Sequence, residues 1–311
     1  WDARSAREQA GLEPLLQAGV VASDQPTHAA LAAAEQKLAQ QHWHPLAAVY
    51  HRHTRWHDTD TVQAMEQTGA TTAHALRALL GQAPPPAWTR RGDSQAQVAL
   101  PVPADSALER LFAARVTCRN FDLQRPLALE PLASVLGRVF ASRGQEAASQ
   151  DTVFLKRSSP SGGGMHPLEA YLWVQRVEGL APGLYHYRCT EHALAPLPAP
   201  AASLLQALAG QDWFANAPAA VVITARFARN FWKYRQHAKA YRALLLEAGH
   251  FSQSLYLAAT EEGLGAWVTC AVNEAVLEQA LGLEPMEEGV LAVCGLGWRD
   301  QEMAVMELDP A

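Results

Sequence analysis

The sequence predicts an α+β fold, a mainly antiparallel sheet flanked by helices, preceded by a small helical or winged-helix-like N-terminal region. Three observations carry this expectation. Short apolar strand-like runs (EAYLWVQRV, AAVVITARF, AWVTC, VLAVCGL) are interspersed with helical segments after residue 104. Gly179 to Gly183, within VEGLAPGLYHY, mark a turn that sends one strand back into the next. A long helical segment, about residues 238–262, is apolar nearly all round and must be buried on most sides.

Residues 1–80 read as Ala-rich and helical. SAREQAGLEPLLQAGVVASD suggests a helix stopped at Gly19 and a short strand at Val20–Val21, compatible with a winged-helix fragment or a small helical subdomain. AALAAAEQKLAQQHW gives a second helix. GQAPPPAWTRRGDSQAQVALPVP is a linker in which Pro84–Pro86 favour polyproline geometry. The expected division is therefore residues 1–80, a Pro-rich linker 81–104, and a main domain 105–311. Within that domain DSALERLFAAR, LALEPLASVLGRVFA and AASLLQALAGQDWFANAP read as helical. In the long helix, Tyr241, Leu244, Leu245, Ala248, Phe251, Leu255, Ala258 and Ala259 keep i, i+3, i+4 spacing, while Leu246, Gly249, Tyr256 and Leu257 occupy other faces. Such a helix suits either an ordinary core or a centre shared with a partner subunit.

Composition narrows the classes. With 311 residues, 49% apolar and 18% charged, the chain can bury a sizeable core. Its net charge of −6 provides no overall field for nucleic acid or an anionic membrane. There is no apolar run long enough to span a bilayer, and WDARSAREQ shows no secretory signal pattern. Cys118, Cys189, Cys270 and Cys294 form no C-x-x-C pair, so buried or near-site thiols in a reducing cytoplasm are expected, with no zinc site built from them. Five histidines (His42, His44, His51, His53, His57) crowd the stretch around Trp43 and Trp56, and a packed surface or interface of aromatic and imidazole groups is expected there rather than metal binding.

Three segments carry candidate chemistry. In SPSGGGMHPLEAYLWVQ the glycine run is followed by Met165-His166-Pro167, not by the Lys of a Walker loop, and a strand rather than a helix comes next. Both common nucleotide loops fail on context. What remains is a glycine run, Gly162, Gly163 and Gly164, whose backbone N–H groups can closely approach a flat or anionic ligand, or a flexible loop. In ARVTCRNFD, Arg115, Thr117 and Arg119 share a face whether the segment is helical or extended, and two guanidiniums with a hydroxyl suit either one phosphate or a solvated charged helix end. In RNFWKYRQHAKAYRALLLEAGH, Lys233 and Tyr234 are adjacent at the end of a loop leading into the long helix. Both titrate at about pH 10 in water, and desolvation beside a cofactor would let Lys233 serve as a base while Tyr234 passes or holds the proton.

With EAGHFSQSLYLAATEEGLGAWVTCAVNEAVLEQALGL, these segments in this order resemble the nitroreductase-like flavoprotein family over about residues 105–300. The R-x-T-x-R-x-F lead-in, the P-S-G-G loop, GLYHY, the Lys-Tyr pair and the EAGH helix resemble its SagB-type branch, which forms azoles in ribosomal peptide natural products. HWHP and FWKYR are similar to that branch's peptide maturation dehydrogenases. The resemblance implies a cytoplasmic homodimer with FMN at the subunit interface, a precursor peptide as substrate and a cyclodehydratase as a further partner. It assigns the FMN phosphate and ribityl chain to Arg115, Thr117 and Arg119, with Arg299 adding charge at the phosphate. Pro160 and Ser161 to Gly164 would reach the flavin from the partner subunit, and Cys270 and Ala271 would stand at its N5 edge. Lys233 and Tyr234 match the pair assigned to catalysis. Two positions depart from the family pattern: Gly164 replaces an Asn that contacts the flavin, and Cys270 replaces a Gly. The implied reaction is oxidation of azolines to azoles. An NAD(P)H-dependent reductase of nitroaromatics, quinones or dehydroamino acids, and a flavin-free peptide-binding scaffold, are the alternatives. In such pathways a winged-helix-like N-terminal region could also hold a leader peptide by strand addition.

Overall fold

The computed structural model describes residue 26 and residues 29–92 and 96–308. The proposed strand at Val20–Val21 lies outside them. Among the described residues four helices come first: α1 (Ala29–Gln40), α2 (Pro45–Thr54), α3 (Thr61–Thr68) and α4 (Ala73–Leu80). After an exposed stretch without helix or strand over residues 97–106 come α5 (Ala107–Ala114) and α6 (Leu129–Phe140). A separate hairpin follows, β1 (Gly144–Ser149) with β2 (Thr152–Lys156). The remaining strands are β3 (Leu168–Val174), β4 (Gly183–Arg188), β5 (Ala193–Pro196), β6 (Ala219–Arg226), β7 (Gly265–Thr269) and β8 (Glu288–Gly297). Between them run α7 (Leu204–Ala207), α8 (Asp212–Ala215), α9 (Phe227–Phe231), α10 (Ala240–Glu261) and α11 (Glu274–Leu281). No helix among the described residues is long and apolar enough to cross a membrane.

Strands β3 to β8 form one sheet in the order β5-β4-β3-β6-β8-β7, with every neighbouring pair antiparallel. Strand β6 lies inside it, and its β-branched run Val221-Val222-Ile223-Thr224 is buried on both faces. Alternation divides that run between two cores. Val221 and Ile223 face one with Leu244, Ala248, Phe251 and Leu255 of α10, while Ala220 and Val222 face the other with Phe214, Trp267 and Leu277. On β8, Gly295 pairs across the ladder with Trp267, and a Cβ at Gly295 would stand 2.1 Å from the indole, so this register accepts only glycine.

Two segments differ from their sequence reading. AASLLQALAGQDWFANAP, expected as one helix, folds as the two single turns α7 and α8, because Ala209 (φ 52°) and Gly210 (φ 84°) adopt left-handed backbone between them. The hairpin β1–β2 was not foreseen; β1 is Gly-Gln-Glu-Ala-Ala-Ser, exposed throughout, with no apolar alternation to signal a strand.

The N-terminal helices are not independent of the sheet. Trp43 is 2% exposed, donates from Nε1 to the Met286 carbonyl at 3.0 Å, and has ring centroids 4.7 Å from both Phe227 and Phe231. His51 stacks on Trp43, and its ring nitrogens bond the Tyr241 hydroxyl and the Pro285 carbonyl, both at 3.0 Å. Burial pulls His51 down to about 4, so it sits there neutral. Further along, Arg55 pairs with Glu278, and Thr59 exchanges two backbone hydrogen bonds with the Asn273 side chain, each 2.9 Å. This part of the His- and Trp-rich stretch is core packing, where its composition suggested a packed surface or interface.

Candidate active site

The segment that follows α5 is extended, which settles the choice its sequence left open. Cys118 N donates to the Ala266 carbonyl at 2.8 Å and Thr117 bridges Ala266 in parallel. Val116 and Cys118 turn inward, leaving Arg115, Thr117 and Arg119 half-buried on the other side. The Arg115 guanidinium lies 5.3 Å from the centre of the Tyr256 ring, and the Tyr256 hydroxyl is 3.2 Å from Thr117 Oγ1. The same hydroxyl accepts from Val268 N at 3.1 Å. Val268 leads directly to a cleft of about 470 Å³ whose walls include Tyr50, Tyr241, Leu245, Ala248, Val268 and Cys270. A basic, hydroxyl-bearing segment is thus linked through Tyr256 to a largely apolar recess. Of the pair Cys270–Ala271, the exposed Cys270 lines that recess. The Ala271 amide is committed to Thr269 Oγ1 (3.1 Å), and its carbonyl accepts from Gln211 Nε2 (2.5 Å).

Arg299 has a partner that the sequence did not indicate. Its Nε donates to Glu307 Oε2 at 2.9 Å. Glu307 Oε1 accepts from the Arg119 amide, the Asn120 amide (2.8 Å) and Asn120 Nδ2 (2.7 Å). Burial works against this carboxylate, but the two backbone amides, Asn120 Nδ2 and Arg299 outweigh it and hold Glu307 below its ordinary value. Glu307 lies in the short polar segment after the last strand, where neither periodicity nor a motif marks it.

The glycine run and the Lys-Tyr pair meet. Lys233 Nζ donates to the Gly163 carbonyl at 3.1 Å. Gly163 has φ 61°, and a Cβ built on it would stand 2.6 Å from both Lys233 Nζ and the Tyr234 hydroxyl. The bare backbone therefore lets two proton-carrying groups close on one point. Gly162 rests against α10, where its Cβ would lie 3.5 Å from that of Ala243. Ser161 Oγ donates to Glu247 Oε2 at 2.6 Å, and the Pro160 carbonyl is 3.4 Å from His250 Nδ1. Burial pushes Glu247 up to about 7 against the opposing pull of Ser161, Arg157 and the Gly162 amide.

Helix α10 separates the two groups. Ala243, Glu247, His250 and Ser254, at i, i+4, i+7 and i+11, face the 159–164 loop. Tyr241, Leu245, Ala248 and Ser252, with the same spacing, line the recess, and Tyr256 continues that row to Thr117. The rows are on opposite sides of a helix about 10–12 Å across with its side chains. Within one chain, then, the glycine loop with Lys233 and the recess with Cys270 point away from each other.

Comparison with known proteins gives this arrangement its family. The model of the nitroreductase family matches residues 112–298, which span the lead-in, the glycine loop, the Lys-Tyr pair, α10 and Cys270. The chain belongs to the nitroreductase family. Within it, the trifolitoxin-processing protein TfxB of Rhizobium leguminosarum bv. trifolii is 30% identical over 159 residues, 47% of this chain and 42% of TfxB. The microcin B17-processing protein McbC of Escherichia coli is 27% identical over 53% of this chain and 60% of McbC. MJ1384 of Methanocaldococcus jannaschii, named as a nitroreductase, is 31% identical over 56% of this chain and 83% of its own length. The match thus spans about half the length of the two peptide-processing relatives. A chain of the E. coli microcin synthetase McbBCD complex with truncated pro-MccB17 bound shares the fold of this nitroreductase-family protein, with a TM-score of 0.61 at 21% identity over 85% of this chain and 97% of that one.

Proposed function

We propose that this protein is an FMN-dependent dehydrogenase of ribosomal peptide maturation that oxidises azolines to azoles in a precursor peptide. The observation that carries this reading is the convergence of Lys233 and Tyr234 on Gly163. A base and a hydroxyl held at one side-chain-free point suit proton abstraction from a ring carbon. Two relatives named as processing proteins for trifolitoxin and microcin B17 support the substrate class.

The chain's residues fit FMN. Arg115, Thr117 and Arg119 on one face suit its phosphate, Arg299 stands beside them through Glu307, and the recess past Tyr256 and Val268 suits a flat ring with Cys270 at its wall. When bound, the flavin supplies the hydride acceptor. Lys233, assisted by Tyr234, takes the proton from one azoline carbon, and the hydride leaves the adjacent carbon, so the ring loses two hydrogens and becomes aromatic. Dioxygen is the terminal oxidant. The opposite facing of the glycine loop and the recess supports a homodimer in which each loop, with its Lys233 and Tyr234, reaches the recess of the other copy. Leu245 and Leu246 of α10, 42% and 67% exposed in the single chain, are apolar surface that such a partner would cover. A cyclodehydratase supplies the azoline, and the setting is cytoplasmic.

Incubating the FMN-loaded protein with an azoline-bearing precursor tests the reading by mass. Loss of about 2 Da per ring supports dehydrogenation, and a gain overturns it. The near full-length match to MJ1384 favours a second reading, NAD(P)H-dependent reduction; steady-state NADPH oxidation with a nitroaromatic acceptor would select it. Independently of substrate, Arg115→Ala is expected to weaken FMN binding about 10- to 100-fold, the cost of one charge-assisted hydrogen bond, as read by flavin fluorescence titration.

A further inference from the structure

Lys233 is exposed in the single chain; its amine donates its hydrogen bond to the Gly163 carbonyl and lies 5.9 Å from the centre of the Tyr234 ring. What fixes that carbonyl is therefore what fixes the amine. The loop that carries it is closed by Ser161, whose hydroxyl accepts the His166 amide at 2.8 Å. A hydroxyl has a single proton to give, and Ser161 gives it to Glu247 Oε2 at 2.6 Å. Glu247 thereby turns the Ser161 lone pair toward His166. The closure acts across a tight loop in which Gly163 and Gly164 take positive φ (61° and 71°) freely and His166, which carries a side chain, is held at φ 46°. On the far side Arg229 Nε holds the Met165 carbonyl at 2.9 Å, so the loop is anchored at both ends with Gly163 between.

Glu247 is placed for this role: it is 3% exposed within α10, the Gly162 amide of the same loop also acts on it, and among the described residues its second oxygen has no hydrogen-bond partner. That oxygen stands 3.9 Å from His166 Nδ1, which is also buried and without a partner. A leucine-like core residue would fill the volume at less desolvation cost. The carboxyl is retained where it has one short hydrogen bond to give the loop its shape.

We infer that Glu247 is a positioning residue for Lys233: it orients Ser161, Ser161 closes the glycine loop, and the closed loop presents the Gly163 carbonyl to the lysine amine. The catalytic meaning of this rests on the proposed function, in which Lys233 is the base, but the coupling itself can be measured without turnover.

The experiment is quantitative lysine acylation of the FMN-loaded full chain with an N-hydroxysuccinimide ester, read by peptide mass spectrometry. The chain has four lysines, so Lys37, Lys156 and Lys239 serve as internal standards. A lysine amine no longer held at the Gly163 carbonyl is freer to meet the ester. Glu247→Ala and Ser161→Ala are each expected to raise Lys233 acylation about fivefold, one ordinary hydrogen bond, with the other lysines unchanged. Glu247→Gln, whose amide oxygen still accepts from Ser161, is expected to restore the wild-type rate. A wild-type Lys233 rate in Ser161→Ala overturns the inference, and that variant decides alone if Glu247→Ala does not fold. A Glu247→Gln chain indistinguishable from Ser161→Ala also overturns it. If the azoline reaction fails but these rates move as stated, the proposed function falls and the positioning role stands.

Discussion

Lys233→Ala is expected to lower azoline oxidation by about 10²- to 10⁴-fold, the span of a general base, while FMN stays bound. The expectation of bound cofactor follows from the geometry, because Lys233 touches the Gly163 carbonyl and lies on the opposite side of α10 from Arg115, Thr117 and the recess. Single-turnover mass spectrometry on the precursor, with flavin absorbance measured on the same sample, separates the two. Full oxidation by a flavin-loaded Lys233→Ala chain would remove Lys233 from the mechanism. Loss of flavin would instead mean that the glycine loop takes part in holding the cofactor.

Trp43→Ala is expected to cost about 3–5 kcal/mol of stability, the range for a buried tryptophan. It empties a site walled by Phe227, Phe231, Tyr241 and His51 and strips the Met286 carbonyl of its donor. Thermal or urea unfolding of the variant measures it, and a change within about 0.5 kcal/mol, typical of surface sites, would contradict the packing. The same contacts bear on any attempt to trim the N-terminal region. Deleting residues 1–80 removes Trp43, His51 and Arg55 together, so reduced handling of a leader-bearing substrate by such a truncation would report a damaged core as readily as a lost binding site.

The sheet was legible where hydrophobicity was continuous. Strands β3, β6 and β8 are apolar runs between turn signals, and α10 was recognisable from its spacing alone. The hairpin β1–β2 was hidden because an exposed two-stranded ribbon needs no apolar face. The break between α7 and α8 was hidden because Ala209 is a helix former whose left-handed backbone is imposed by its surroundings. At the site, Arg115, Thr117 and Arg119 could be nominated by their alternation, and the glycines by their bareness. That Lys233 and Tyr234, about 70 residues downstream, would converge on Gly163 came only from the folded chain. Glu247 and Tyr256 were visible as positions on a helix, but not as the two residues that tie its opposite sides to different parts of the site. Glu307 carried no signal, since one of four acids in the segment after the last strand acquires meaning only from the amides it reaches.

The Trp43 indole meets its acceptor, Met286, 243 positions later in the chain. Strand β6 is bordered on one side by β3, which precedes it, and on the other by β8, which is synthesised last of all the strands. During translation, α6 and α10 can cover one face of β3 and β6 early, but the acceptor for Trp43 and the strand that completes the sheet beside β6 come only with the last part of the chain. The sheet thus closes last in its interior, where β8 enters between β6 and β7, and yield in a foreign host should depend on chaperone supply and growth temperature.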